Sequence, residues 1–313
     1  MNFQLKFSIP EAKQKISFGD RIIFLGSCFS DEMSLLAEKS GLHVLANPFG
    51  TIFHPLALAQ NMLDVLRGNE DVNIVRNEDI FLDYNCSGKI YAMSERELKE
   101  KVLTLRKNFR NELKKATHLF VTFGTAFAYY LKETQKVVGN CHKQPLQLFE
   151  KKLTDVELIV SIWKEIIDEL KCLNPEIQIY FTVSPVRHSK DGLHENNVSK
   201  STLFLAINQL QADEEIRYFP AFELVNDVLR DHRFFKEDLV HPNIQAIQYV
   251  WEKFMETFLT VETIELAKKV AEIKLAMNHR LQYPESKMAK EFRRNLEEKT
   301  NSLSKEFPNI FWQ

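Results

Sequence analysis

Two small nucleophilic side chains stand at one turn of this chain. Gly26-Ser27-Cys28-Phe29-Ser30 follows the apolar run Arg21 to Leu25 and precedes Asp31-Glu32-Met33-Ser34-Leu35-Leu36-Ala37. A strand, a glycine, a hydroxyl, a thiol and a helix start, in that order, put Ser27 and Cys28 at a helix N-terminus. The N–H groups there lack intrahelical partners and carry partial positive charge. A thiol held against them is expected to gain anionic character. Far along the chain, Asp238 and His241 stand three residues apart, just before Pro242. Proline is a natural first helical residue, and residues 246–258 supply an apolar helical run. In that setting Asp238 accepts from His241 Nδ1–H and fixes the tautomer, and Nε2 faces the nucleophile as general base. The same spacing recurs at Asp191 and His194, but in a polar loop with no framing element.

These residues need a scaffold. Five short apolar runs read as buried strands of a parallel sheet: Arg21 to Leu25, His43 to Ala46, Leu119 to Phe123, Ile177 to Val183, and Ile216 to Phe219. Helical patterns separate them: Ser30 to Lys39, Pro55 to Leu66, Ser94 to Lys115 (opening on the capping box Ser94-Glu95-Arg96-Glu97), Asp155 to Leu173, and Ser199 to Gln211. Alternating strand and helix predicts right-handed crossovers and a three-layer α/β/α sandwich. A hairpin is expected around Asn85-Cys86-Ser87-Gly88, and a second within 126–138. In such sheets ligands bind beyond the carboxyl ends of the strands. The residues there are Ser27 and Cys28; Asn47-Pro48-Phe49-Gly50-Thr51; Gly124-Thr125-Ala126; and Ser184-Pro185-Val186-Arg187-His188. Arg187 and His188 suit an anionic substrate group, which a guanidinium fork binds well. An ion pair from Arg187 to Asp191, Glu223 or Asp227 is the structural alternative.

Composition excludes several classes. The 313 residues carry 41 Lys+Arg against 43 Asp+Glu, so no global field attracts nucleic acid or an anionic membrane. The first ten residues lack the apolar core of a signal peptide, and no run approaches the ~18 apolar residues of a membrane helix. A cytoplasmic location is the expectation. Four cysteines without a C-x-x-C pair make neither a disulfide scaffold nor a zinc site. No phosphate-binding glycine loop appears, so neither metal nor organic cofactor is expected. From residue 261 the chain is helical and charged, with ten Lys+Arg and eight Asp+Glu. This reads as a C-terminal helical extension, residues 261–313, appended to a domain of residues 1–260. Its amphipathic helices suit packing on the body or a homo-oligomer contact.

Taken together, the blocks resemble those of a known family. Gly-Asp-Ser-Leu near the N-terminus with a late Asp-x-x-His marks the SGNH (GDSL-like) hydrolases. Gly26-Ser27-Cys28-Phe29-Ser30 resembles the opening of a divergent branch, the GSCFA domain family. Asn47-Pro48-Phe49-Gly50, Gly124-Thr125-Ala126, Ser184 to His188, and Asp238-x-x-His241-Pro242 look like its further blocks. The resemblance implies an SGNH/flavodoxin-like fold around a five-stranded parallel sheet, and ester or thioester hydrolysis, or acyl transfer, on a small-molecule acyl ester. The superfamily's nucleophile position falls on Cys28, with Ser27 as the rival. Its oxyanion glycine falls on Gly50. Its asparagine position falls on Ala126, leaving Asn47 and Asn140 as replacement donors beside Thr125. The alternative reading is a small-molecule binding module that keeps the pocket without turnover. A third is a structural partner assembled through the C-terminal helices.

Overall fold

The computed structural model describes residues 5–213 and 215–312. Its centre is a five-stranded parallel sheet made of β1 (Arg21–Gly26), β2 (His43–Ala46), β3 (His118–Phe123), β4 (Gln178–Val183) and β5 (Ile216–Tyr218), in the order β5-β4-β3-β1-β2. The strands are apolar on both faces because helices cover both. Side chains alternate, so each strand feeds two cores. Ile23 and Leu25 of β1 join Leu119, Val121, Ile179 and Phe181 on one face. Ile22 and Phe24 join Phe120 and Tyr180 on the other. There Phe120 stacks between Phe24 and Tyr180, at 5.0 and 5.2 Å.

Helices α2 (Pro55–Arg67), α3 (Glu95–Leu113), α4 (Val156–Leu173) and α5 (Leu193–Leu210) close the first face. Helices α1 (Cys28–Lys39), α6 (Ile244–Phe258) and α7 (Val261–Met277) close the second. The result is the expected three-layer α/β/α sandwich with C-terminal helices. α7 buries Leu266, Ala267 and Val270 in the second core, and Ile310 joins them from beyond α8 (Lys287–Glu306). Among the described residues, no helix is long and apolar enough to cross a membrane.

The strand order has a consequence for function. From β1 the chain steps one way to β2, then back across β1 to β3. The crevice between the carboxyl ends of β1 and β3 is therefore the topological switch point where ligands bind in such sheets. Gly26 makes this crevice tight. Its φ is +121°, and a Cβ there would lie 2.0 Å from the Thr122 carbonyl oxygen of β3.

The expected hairpins are both three-stranded. Ile74–Asn77 and Ile80–Asp83 form the first turn, and Tyr91–Ala92 adds to Ile80–Asp83 across the Asn85–Gly88 loop. Phe127–Leu131 pairs with both Val137–Val138 and Phe149–Leu153. Two boundaries differ in an informative way. α5 begins at Leu193, six residues before the expected Ser199, because the buried face of its first turns is polar rather than apolar. α6 begins at Ile244 rather than Pro242. Asn243 is its N-cap, accepting from Gln245 N and Ala246 N at 3.0 and 3.1 Å.

Candidate functional site

The first rim turn separates the roles of its two nucleophile candidates. Ser27 is the N-cap of α1. It is fully buried, and its Oγ accepts from Phe29 N–H. The rival nucleophile is thus a capping hydroxyl, closed to solvent. Cys28 is the first helical residue and is half-buried. Its thiol is nevertheless not activated by the helix start. Burial raises its pKa above the usual value, and Asp31 raises it further; only then does the residue's own N–H act in the opposite sense. The thiolate expected from the helix N-terminus is corrected on this point: desolvation and a nearby carboxylate outweigh the helix end.

The second rim loop is a brace. Asn47, at a φ of +38°, accepts from Gly26 N–H at 2.7 Å and donates to Asp31 Oδ1 at 2.7 Å. Thr51 donates to the other oxygen of Asp31 at 2.8 Å. The Asn47 amide therefore ties the end of β1 to the first turn of α1, and is not a spare oxyanion donor. Gly50 N–H donates to Asn47 O at 2.7 Å, so that N–H is also engaged. The glycine is required for another reason. Its φ is +76°, and a Cβ would meet Ser87 Oγ at 1.8 Å, where the first inserted hairpin leans on the loop. Asn140 lies with that hairpin too: its N–H donates to Tyr84 O, and its Oδ1 accepts from His142 N–H. Gly50 and Asn47 are thus corrected from oxyanion donors to scaffold residues, while Asn140 is anchored to the hairpin by its backbone N–H and side-chain oxygen.

The third and fourth rim loops are fastened by α5. Ser199 Oγ accepts from Ala126 N–H at 2.7 Å and lies 3.1 Å from Thr125 Oγ1, which itself accepts from Phe127 N–H. Asn196 Oδ1 accepts from His188 N–H at 2.9 Å, and the buried Asn196 Nδ2 has no partner among the described residues. Lys200 is 3% exposed, and its Nζ donates to Gly124 O at 2.6 Å and Ser184 O at 2.8 Å. One ammonium therefore clamps the ends of β3 and β4. Burial brings its pKa down to about 7, with Arg187 pushing the same way and a charged Cys28 sulfur pushing back. Cys28 and Lys200 are within electrostatic reach of each other.

Sequence reasoning missed Lys200, Asn196 and Ser199. A signal existed. Residues 196, 199, 200, 203, 206, 207 and 210 are all buried, so the polar trio extends the apolar stripe at helical spacing. A lysine on the core face of an amphipathic helix seldom lies buried without a purpose.

His188 packs edge-on against Phe53 at 5.6 Å. Burial lowers its pKa to about 4, with Lys200 next in weight and Asp191, Lys151 and His241 also acting on it. Arg187 makes none of the expected ion pairs among the described residues. It donates to Asn197 Oδ1 at 2.9 Å and lies over the Phe222 ring at 5.5 Å. Asp191 pairs with Lys151 instead.

The late Asp-His pair has the expected internal geometry. His241 Nδ1 lies 2.6 Å from Asp238 Oδ2. Asp238 Oδ1 accepts from the N–H groups of Val240 and His241, both at 3.0 Å. These backbone donors, and then the His241 ring, hold the carboxyl down at about 2. The pair is exposed, and among the described residues His241 makes no hydrogen bond to Cys28. The loop is tied to α1 by Lys236, whose N–H donates to His241 O at 2.7 Å and whose Nζ pairs with Glu32 at 3.3 Å. No group of three or more metal-ligating side chains is present among the described residues.

The fold and rim define a flavodoxin-like three-layer α/β protein whose rim loops carry a half-buried cysteine, a buried lysine and a half-buried histidine, with an aspartate–histidine pair on a loop tied to α1. The GSCFA family model matches residues 21–254, and the chain belongs to the GSCFA family. No curated protein matches it in sequence. Solved structures with a similar backbone include a family two carbohydrate esterase from Clostridium thermocellum in complex with cellohexaose. It has 12% identity and a TM-score of 0.40, with 85% of this chain and 67% of that one covered. An acetyl xylan esterase from the rumen bacterium Butyrivibrio proteoclasticus gives 13%, 0.40, 77% and 64%. The periplasmic domain of a lipopolysaccharide acetyltransferase from Salmonella ser. Paratyphi A gives 12%, 0.36, 77% and 84%. The chain thus spans less than two thirds of the Butyrivibrio enzyme.

Proposed function

We propose that this protein is an SGNH-like hydrolase that cleaves ester or thioester bonds through an acyl-enzyme on Cys28, with transfer to an alcohol as the variant outcome. The observation that supports the reading is a helix-start thiol within electrostatic reach of a buried lysine, beside a carboxylate-oriented histidine whose loop is tied to α1 by the Lys236–Glu32 pair. Because burial keeps the thiol protonated at neutral pH, a base must remove its proton during attack. His241 fills that role: Asp238 stays ionised, holds Nδ1–H and leaves Nε2 as acceptor. The Cys28 sulfur bonds to the acyl carbon, the alcohol or thiol leaves with the proton carried by His241, and a thioester remains. Water, or an acceptor alcohol, then gives its proton to His241 and attacks the thioester. The acyl product departs and the Cys28 thiol is restored. The Lys200 ammonium favours negative charge on sulfur, and Cys28 N–H is the nearest backbone donor for the oxyanion.

A panel of short acyl esters tests this. Cys28→Ala and His241→Ala should each lose turnover by at least ~100-fold, while Ser27→Ala should affect stability more than rate. Turnover that survives Cys28→Ala sinks the reading. Two observations favour a second reading, a binding module without turnover: the raised Cys28 thiol, and the engagement of Gly50 N–H and the Asn47 amide. It predicts a ligand recovered chemically unchanged from the wild-type protein.

A further inference from the structure

A groove of about 840 Å³ runs alongside α1, beginning beside the rim. Its α1 wall is Glu32, Leu35, Leu36 and Lys39. These positions follow Cys28 by four, seven, eight and eleven residues, so they share its face of the helix. The opposite walls are Ile247, Trp251 and Met255 from α6, and Ile264, Ala267 and Ala271 from α7. At the rim end stand the Glu32–Lys236 ion pair and Pro242. Glu32 is one helical turn from Cys28, and Pro242 directly follows His241, so the groove adjoins both members of the proposed pair. It extends along α6 from Asn243 to Glu256, about 20 Å at the helical rise. Its lips carry unpartnered apolar surface: Ile244 is 82% exposed and Leu35 45%.

The trough has an apolar floor of Ile247, Trp251, Met255 and Ala267 between exposed lips that carry Lys39, Glu252, Glu256 and Lys268, and its rim end begins one helical turn from Cys28. A flexible hydrocarbon chain laid on that floor would leave water for apolar contact along its length. We propose that the groove receives the unbranched chain of a medium- or long-chain acyl group whose carbonyl lies at Cys28. This rests on Cys28 as the nucleophile and names the substrate class of that site. No atoms move beyond the acyl transfer already described; the groove supplies binding that grows with chain length. Each methylene taken from water should add roughly threefold to fourfold in binding.

The test uses the full chain and two readouts. Dodecanoate is titrated into wild type and Cys28→Ala, followed by tryptophan fluorescence, with Trp251→Phe assigning the signal. In parallel, kcat/KM is measured for p-nitrophenyl esters from acetyl to decanoyl. The expected results are saturable dodecanoate binding in both proteins, lost signal in Trp251→Phe, and kcat/KM rising about 100-fold or more from acetyl to octanoyl. Ala271→Trp, which fills the groove, should cut the octanoyl-to-acetyl ratio at least tenfold. Leu35→Glu, at an exposed lip where folding is not at stake, should do the same. Turnover with a flat chain-length profile and no dodecanoate signal overturns the groove and leaves the Cys28 reading standing. Dodecanoate binding with no turnover of any ester keeps the groove and overturns the nucleophile. A dimer that Ala271→Trp converts to monomer, with no dodecanoate signal, makes the groove a subunit contact and defeats the proposal.

Discussion

Lys200 is the residue around which the rim is built, and its charge should be measurable in the stability of the whole chain. In the fold burial lowers its pKa to about 7, against an ordinary value of 10.5. Between those values the unfolded chain holds a proton that the folded chain has released. Stability therefore rises with pH across that window, and is lost again as pH falls toward 7, by at most about 1.4 kcal/mol per pH unit. The clean range is pH 7 to about 8, below the region where cysteines and tyrosines deprotonate in the unfolded chain. Urea midpoints of wild type should climb over that range, and Lys200→Met should remove most of the climb; equal slopes would show that Lys200 keeps an ordinary pKa. Cys28 gives a second residue-scale expectation. Burial and Asp31 hold its thiol protonated, so iodoacetamide at pH 7 should modify it more slowly than the exposed Cys172. Faster labelling of Cys28, read by peptide mass spectrometry, would restore the activated thiolate that the helix start alone suggests.

At the scale of elements, two glycines do different things, and substitution should tell them apart. A Cβ on Gly26 would strike the backbone of β3, at 2.0 Å from Thr122 O. Backbone cannot step aside without unpairing β1 from β3, so Gly26→Ala should cost more than about 4 kcal/mol and no side-chain change should rescue it. A Cβ on Gly50 would strike the side chain of Ser87 instead, at 1.8 Å from Oγ and 2.5 Å from Cβ. Ser87 Oγ is buried without a partner among the described residues, so its removal sacrifices no hydrogen bond. Gly50→Ala should therefore destabilise strongly, and adding Ser87→Gly should recover all but about 1–2 kcal/mol, the left-handed backbone strain that remains. Thermal melts of the four proteins decide it; a double variant no more stable than Gly50→Ala would mean the contact is not the cause. The same contrast explains what was legible beforehand. All five strands were readable because each is a short apolar run with helices on both sides, and His43–Ala46 falls where expected. The cap at Ser94 was readable because its Oγ meets Glu97 N–H within one turn. Lys200, Asn196 and Ser199 were not, because their partners, Gly124, Ser184, His188 and Ala126, lie up to 76 residues away and are brought near only by the sheet. Gly50 was found by motif but given the wrong task, since Ser87 approaches it from a hairpin whose docking no local pattern encodes.

At the scale of the molecule, the C-terminal helices are expected to be part of the folding unit rather than a detachable extension. The isolated bridge Ile16 to Leu259 and the bond from Ala12 N–H to Thr257 O join the N-terminal segment to the end of α6. Beyond Thr260, Leu266, Val270, Ile273 and Ile310 are each at most 9% exposed, and all but Ile273 lie in the core shared with Met33, Ala37 and Leu42 of the body. Val270 and Ile310 also cover Gly41, where a Cβ would meet them at 2.7 and 3.1 Å. The Lys274 ammonium donates to Glu38 O at 2.7 Å, at the carbonyl end of α1, and Phe311 N–H donates to Gly41 O. Four buried aliphatic side chains at about 1.5–3 kcal/mol each amount to roughly 6–12 kcal/mol, an upper estimate. That is comparable with the whole stability of an ordinary domain, about 5–15 kcal/mol. A chain ended after Thr260 should therefore bind a hydrophobic dye at room temperature and lose its cooperative melt. A truncated chain that melts cooperatively within about 5 °C of the full-length protein would limit the loss to roughly 1–2 kcal/mol, and would make residues 1–260 a domain that stands without its C-terminal helices.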